Sequence, residues 1–385
     1  MLICKHFNLC GGCTYQDIPY NEQLKIKNQE VLDYMESNKI TVKDYLGIIG
    51  SDKQLAYRNK MEYTFGDEIK DGPKTLGLHK RKQFMSIITV DECLLVDQDF
   101  NTILKCTLAY FIEKNYLHYN KKTHLGLQRN LIIRKGERTS ELLVNLVTSS
   151  QMDFDKEEWV ARLLELPLNN KIIGILNTIN DSQADFVYCE SLNTLYGRNY
   201  YLEEVLGLKF KVSAFSFFQT NIPAIEKLYR AALDFMGDAS GEIVYDLYSG
   251  TGSITQAVAL KAKKVFGLEL VPEAVAAARE NAAMNGLMNC TFIEGDVLKS
   301  LDLLIDQPDI IVLDPPRSGV HPKALQKILN YKVNEIIYIS CNPKTLAKDL
   351  AIAQEMGYEA MKMIVFDNFP HTKHSEAVVK LRYLK

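Results

Sequence analysis

The pattern of apolar and polar positions changes character at about residue 212. Before it the apolar runs are short, alternating or rich in β-branched residues, as in Phe84–Val90, Leu131–Arg134, Glu141–Val147 and Lys171–Asn177. Gly, Asn, Asp and Ser separate them, which predicts an antiparallel sheet with a few helices. Beyond it, strand-length runs at Ile243–Leu247, Val265–Leu268, Thr291–Ile293, Ile310–Leu313 and Ile336–Ile339 alternate with helical periods such as Ile254–Lys261 and Pro272–Asn285. That alternation predicts an α/β unit with a doubly wound, mostly parallel sheet. Met361–Phe366 and Ala377–Tyr383 have no helix between them and are expected to form an antiparallel edge pair. Near the amino terminus, Tyr20–Ser37 has helical spacing, with Leu24, Val31, Leu32 and Met35 on one face.

These changes set four regions: a cysteine-bearing segment at 1–16, a helix region at 17–50, a strand-rich α+β domain at 51–211 and the α/β domain at 212–385. No repeat or low-complexity linker interrupts them.

Composition narrows the class. With 385 residues, 47% hydrophobic and 24% charged, the chain can bury a large core. No run approaches the roughly 18 apolar residues of a membrane helix, and Met1–Cys13 lacks the apolar stretch of a signal peptide. A cytoplasmic, monomeric protein is the expectation. The eight cysteines are then expected to be thiols, metal ligands or a nucleophile rather than disulfides. A net charge of −3 gives no overall attraction to nucleic acid, so any such site must be local. Candidates are His79, Lys80, Arg81 and Lys82, the pair Arg129 and Arg134, and Phe84 as a stacking platform.

The chemistry lies at strand ends. The first α/β strand runs into Asp246-Leu-Tyr-Ser-Gly250-Thr-Gly252-Ser and the second ends at Glu269, 23 residues after Asp246. Glycines let a backbone turn approach a ligand closely, and an acid at that distance can bind two ribose hydroxyls. Three positions beyond Gly252 stands Thr255, not the glycine of a dinucleotide fingerprint. With Asp296 ending the third strand within reach of an adenine amino group, the acid-tipped strands favour S-adenosylmethionine.

Asp314-Pro-Pro-Arg317 follows the fourth strand and Ser340-Cys341-Asn-Pro the fifth. An Asp-Pro-Pro loop alone resembles that of nitrogen methyltransferases, which need no nucleophile. Cys341 separates the alternatives. Carbon 5 of uracil is a poor nucleophile until a thiolate adds at carbon 6. The segment Phe369-Pro-His371-Thr-Lys-His374-Ser-Glu376 offers the proton acceptor that carbon 5 then needs, with Glu376 expected in that role and His371 and His374 as rivals. A non-enzymatic RNA-binding module with a degenerate cofactor fold is disfavoured by the intact glycine and acidic positions.

Taken with Ser216-Phe-Phe-Gln219-Thr-Asn221, these motifs resemble the RNA uracil-5-methyltransferase family over nearly the whole chain, most closely its short 23S rRNA members. The resemblance implies a Rossmann-like class I methyltransferase domain, Cys341 as nucleophile and Glu376 as base. It implies Gln219, Tyr248, Glu269, Asp296 and Asp314 as cofactor contacts, with Asp314 also near the target uracil. The family often has Cys where this chain has Ser249 and Asn or Gly where it has Ser253.

Cys4-x5-Cys10-x2-Cys13, joined by Cys93, is similar to the set that binds iron and sulfur in some members. Four thiolates suit a [4Fe-4S] cluster or zinc, and spacing does not choose between them. The resemblance carries the cluster. Cys106, Cys189 and Cys290 fit no set and are expected to be buried thiols. The family's small β-barrel RNA-binding domain is expected to be absent, which leaves the strand-rich region, including Tyr57-Arg58-Asn59-Lys60, to grip RNA. The expected substrate is 23S rRNA, with tRNA as the alternative.

Overall fold

The computed structural model describes residues 2–184, 186–301, 304 and 306–384 and gathers them into two units. One holds the residues through Asp17 with Lys53–Glu204 and Lys211–Phe215; the other holds Ile18–Asp52, Val205–Phe210 and the chain from Ser216 on.

In the second unit, α1 (Tyr20–Ser37) leads into β1 (Val42–Ile49). The expected division set these residues apart, but they complete the α/β unit. β1 pairs in parallel with β16, and Val31 and Met35 of α1 enter the same core as Tyr245, Leu268 and Leu313. The buried stripe of α1 is Gln23, Lys27, Val31 and Met35, so half of it is polar. Leu24 and Leu32, expected on that face, are only partly covered. The polar half has partners: Lys27 Nζ donates to Asp367 Oδ1 at 2.6 Å and to the Phe369 carbonyl at 3.1 Å. Both side chains of the Lys27–Asp367 pair are fully buried.

Breaking such a pair leaves one charge buried and uncompensated. Lys27→Met is therefore expected to destabilise the unit by about 3–5 kcal/mol in denaturant unfolding. Adding Asp367→Leu should recover a large part of that loss. A single variant as stable as the parent would show the pair to be dispensable.

The first unit contains β2 (Lys60–Asp67), β3 (Lys74–Lys80), β4 (Gln83–Thr89), α2 (Gln98–Glu113), β5 (Gln128–Lys135), β6 (Glu141–Thr148), α3 (Lys156–Leu164), β7 (Lys171–Ile179) and β8 (Ser191–Gly197). Its strands form one sheet in the order β4-β3-β2-β5-β6-β7-β8. The pairs are antiparallel as expected, except β6–β7, which α3 joins as a parallel crossover. An aromatic cluster of Phe65, Phe111, Phe154 and Trp159 packs beneath it. A two-stranded sheet of β9 (Tyr200–Val205) and β10 (Leu208–Ser213) follows.

The α/β alternation then runs α4 (Ile222–Met236), β11 (Ile243–Leu247), α5 (Ser253–Ala259), β12 (Lys264–Glu269), α6 (Pro272–Met284), β13 (Cys290–Glu294) and α7 (Val297–Ser300). It continues through β14 (Ile310–Leu313), α8 (Pro322–Leu329), β15 (Glu335–Ser340), α9 (Pro343–Glu355), β16 (Tyr358–Phe366) and β17 (Glu376–Tyr383). The sheet order is β1-β16-β17-β15-β14-β11-β12-β13. β16 and β17 pair antiparallel as expected, but they are not the edge, because β1 lies outside β16. The order reverses between β11 and β14, the switch point outside whose carboxyl ends ligands sit in open α/β sheets. No helix among the described residues is long and apolar enough to cross a membrane.

Candidate active site

Register brings the motif residues to that switch point. Leu247 pairs with Leu313, so the glycine turn and Asp314 leave the sheet side by side. β17 runs antiparallel to β15, and Ser340 pairs with Ala377. Cys341, just past the end of β15, therefore lies beside Glu376, the first residue of β17. Three residues far apart in sequence share one end of the sheet because two strands finish there and a third begins.

Glu376 is buried, and loss of water raises its carboxyl to about 7. Asn368 opposes this by donating from Nδ2 to Glu376 Oε2 at 2.5 Å. Asn221 donates in turn to the Asn368 carbonyl at 2.9 Å while capping α4. Asp314 is held well above the ordinary carboxylate range by desolvation and then by the charges of Glu376 and Asp246. The Cys341 thiol is raised to about 11 by burial, Glu376 and Asp314, and the nearby Arg317 pulls it down. α9 begins two residues later, with Asn342 as its cap, so its positive end also favours a thiolate. The Arg317 carbonyl accepts from Asn342 Nδ2 at 3.0 Å, tying the Asp-Pro-Pro loop to the cysteine turn.

His371 is buried, with Nδ1 3.1 Å from Gln23 Nε2 and its backbone N–H donating to Gln23 Oε1 at 2.9 Å. His374 Nδ1 lies 3.0 Å from Arg317 Nη2.

The expected cofactor positions line the adjoining turn. Gly252 has φ +80°, and a Cβ there would stand 2.8 Å from the Phe292 ring, so only glycine fits. Tyr248 is left-handed at φ +74°. Its phenol is raised to about 12 by burial and then by Asp296 and Asp349, which puts Tyr248 near Asp296. Glu269 accepts from the Gly250 N–H at 3.0 Å and the Val271 N–H at 2.9 Å, leaving lone pairs for a ribose diol. Gln219 and Ser253 hydrogen-bond the buried hydroxyl of Tyr229, which faces Asp314 and Glu376.

Asp246 Oδ1 and Ser249 Oγ are buried without a hydrogen-bond partner among the described residues. Desolvation raises the Asp246 carboxyl to about 7. Orphaned acceptors and three carboxyls short of positive charge fit a cationic ligand, which S-adenosylmethionine is by virtue of its sulfonium. Tyr229 and Asn368 carry no signal in the sequence, and Arg317 stands in the Asp-Pro-Pro motif without a role assigned to it. Asn221 stood within a quoted motif, but nothing local pointed to the loop it holds.

In the first unit Cys4, Cys10, Cys13 and Cys93 are all buried, at 7–8% exposure. Burial and mutual repulsion push Cys13 up to about 12 and Cys93 up to about 11. Asn101 clamps the Cys93 backbone through two hydrogen bonds. Among the described residues no group of three or more His, Cys, Asp or Glu side chains has an arrangement that could hold a metal ion. The four thiols nonetheless lie within electrostatic reach of one another. Cys106, Cys189 and Cys290, expected to be buried, are only partly so.

The candidate RNA contacts divide. Arg129 is buried and spends its guanidinium on the carbonyls of Asn180, Ser182 and Ala184 while stacking on Tyr119. Arg134 is 2% exposed. Both serve the interior rather than a phosphate backbone. His79–Lys82 and Phe84 lie on the β3–β4 hairpin, with Arg81, Lys82 and Phe84 exposed.

Known proteins resemble this chain over nearly its whole length. An uncharacterised RNA methyltransferase of Clostridium tetani is 50% identical over 379 residues, 98% of this chain and 83% of that one. One from Caldanaerobacter subterraneus is 49% identical over 375 residues, 97% of this chain and 83% of its own length. Among solved structures, the Pyrococcus abyssi tRNA (uracil-54, C5)-methyltransferase in complex with S-adenosyl-L-homocysteine superposes with a TM-score of 0.78 at 26% identity, covering 97% of this chain and 86% of that one. The model of the tRNA (uracil-5-)-methyltransferase family matches residues 19–383. Strand-end acids, glycine turn and thiol thus stand in a chain that belongs to the tRNA (uracil-5-)-methyltransferase family, enzymes that methylate RNA with S-adenosylmethionine.

Proposed function

We propose that this enzyme methylates carbon 5 of a uridine in RNA through a covalent adduct on Cys341. The Cys341 thiolate adds to carbon 6, forming a C–S bond and sending the ring electrons to carbon 5 and its neighbouring carbonyl. Gln219, Tyr248, Glu269, Asp296 and Asp314 would hold S-adenosylmethionine, whose methyl group would pass to carbon 5 as its sulfonium S–CH3 bond breaks and leaves the neutral thioether S-adenosylhomocysteine. Glu376 then removes the carbon 5 proton, the C–S bond breaks, and the thiolate returns as the 5,6 double bond reforms. The observation that carries this reading is the shared position of Cys341, Asp314 and Glu376 at one end of the sheet. A carboxyl raised to about 7 is half ionised near neutral pH, which suits a general base.

A [4Fe-4S] cluster on Cys4, Cys10, Cys13 and Cys93 is part of the proposal. The four thiols are all buried in the first unit, and burial together with the neighbouring sulfurs raises Cys10, Cys13 and Cys93, so their thiolates call for a bound cation. Near-stoichiometric zinc and no visible absorbance in anaerobically purified protein would remove the cluster.

Two RNA substrates are in view. The sequence resemblance points to 23S rRNA, and the Pyrococcus relative acts on uridine 54 of tRNA. Both present unpaired uridines, which the reaction requires because a stacked base cannot reach Cys341. Mapping 5-methyluridine in ribosomal and transfer RNA from cells with and without the gene is expected to show one site lost with the gene. Loss of no 5-methyluridine in either RNA would refute the assignment.

A further inference from the structure

The β3–β4 hairpin is a basic, aromatic segment that the chemistry leaves unused. In the first unit it borders a cavity of about 230 Å³, lined by Phe65, His79, Phe84, Met85, Tyr119 and Lys121 among others. That volume lies below the roughly 300 Å³ at which drug-sized pockets begin, matching one planar group rather than an extended ligand. Phe84 and Met85 are 59% and 51% exposed, although large apolar side chains at a hairpin tip gain nothing by facing water.

The platform is organised. The His79 ring stacks on Phe84 at 4.7 Å between centroids and 6° between planes. A contact of 2.5 Å between His79 Nδ1 and the Phe84 carbonyl fixes the imidazole, with Nδ1 as donor. Lys121 Nζ stands 4.8 Å from the Phe84 ring centre, and Lys122 follows on the same rim. The cysteine segment pins the hairpin from below: Arg81 N donates to the Leu9 carbonyl at 2.7 Å and Gly11 N to the His79 carbonyl at 3.3 Å. Arg81 Nη1 donates to Asn8 Oδ1 at 2.6 Å.

We infer that this hairpin and the 118–122 loop form a second RNA site that holds one unpaired base of the substrate on the Phe84 ring, with its phosphates on Lys121 and Lys122. A base stacking there takes the place of the Lys121 ammonium over the ring, and the displaced ammonium becomes a phosphate partner. Stacking is indifferent to base identity because every base has a π-face, so the site adds grip and register rather than sequence choice. The inference rests on the proposed RNA substrate.

The test is fluorescence anisotropy with a labelled, unstructured RNA oligonucleotide and the full-length protein. Phe84→Ala is expected to weaken binding about tenfold or more, and Phe84→Trp to restore it. Lys121→Ala with Lys122→Ala should flatten the dependence of log affinity on log salt by about one to two units. Calorimetric binding of S-adenosylmethionine should be unchanged in each variant, and an unchanged circular dichroism spectrum and melting temperature verify folding. Wild-type affinity in Phe84→Ala at every salt concentration overturns the site. Absence of RNA binding by the wild type overturns it together with the proposed function. A wild type that binds RNA in a Phe84-dependent way yet transfers no methyl group supports the site and defeats only the proposed function.

Discussion

Cys341→Ala is expected to abolish methyl transfer to uridine-containing RNA, by on the order of 10⁴-fold or more, while S-adenosylmethionine still binds. The size follows from the chemistry. Without a C–S bond at carbon 6 there is no electron-rich carbon 5 to take the methyl group. The fold should tolerate the change, because Cys341 follows the last residue of β15 and is only partly buried. A nitrogen methyltransferase working through the Asp314 loop would lose nothing. Retained transfer in single-turnover assays, with the cofactor still bound by calorimetry, therefore ends the covalent mechanism.

Glu376→Gln should act at the other end of the same sequence of steps. Glutamine keeps the shape and can still accept from Asn368, but it cannot take the carbon 5 proton. Methylated RNA is then expected to remain attached through the Cys341 sulfur. It should appear as a protein–RNA species stable to denaturing electrophoresis, with turnover reduced about 10²- to 10⁴-fold. The double variant with Cys341→Ala should form none.

The pH profile gives an independent reading. Burial raises the Glu376 carboxyl to about 7, so the base form is lost as pH falls through that value, and the single-turnover rate should rise across it. The raised Cys341 thiol acts in the same direction, since its thiolate fraction also grows with pH. Absence of any trapped adduct in Glu376→Gln would shift the role to His371 or His374.

Loss of Asn368 is informative because nothing in the sequence pointed to it. It stands in the Phe366–Glu376 connection as an unremarkable polar residue, yet its amide is the bond that favours an ionised Glu376. Its position depends on Asn221, 147 residues earlier, and on the buried Lys27–Asp367 pair beside it.

What the sequence by itself determined was local. Alternation of five apolar strands with helical periods decides an α/β sheet, because each element must bury a face at its own period, 2 or 3.6 residues. Strand-end positions of Asp246, Glu269, Asp314 and Cys341 follow from the same pattern, and so does the glycine turn. Only the tertiary structure decided which distant partners satisfy buried polar groups. It added β1 outside β16, filled half of the α1 stripe with Gln23 and Lys27, drew Arg129 inside onto three carbonyls and placed Asn368 on Glu376. Hydrophobic periodicity is summed over neighbouring residues and survives in a one-dimensional reading. A hydrogen bond between residues hundreds of positions apart depends on sheet order and register, which exist only once the chain has folded.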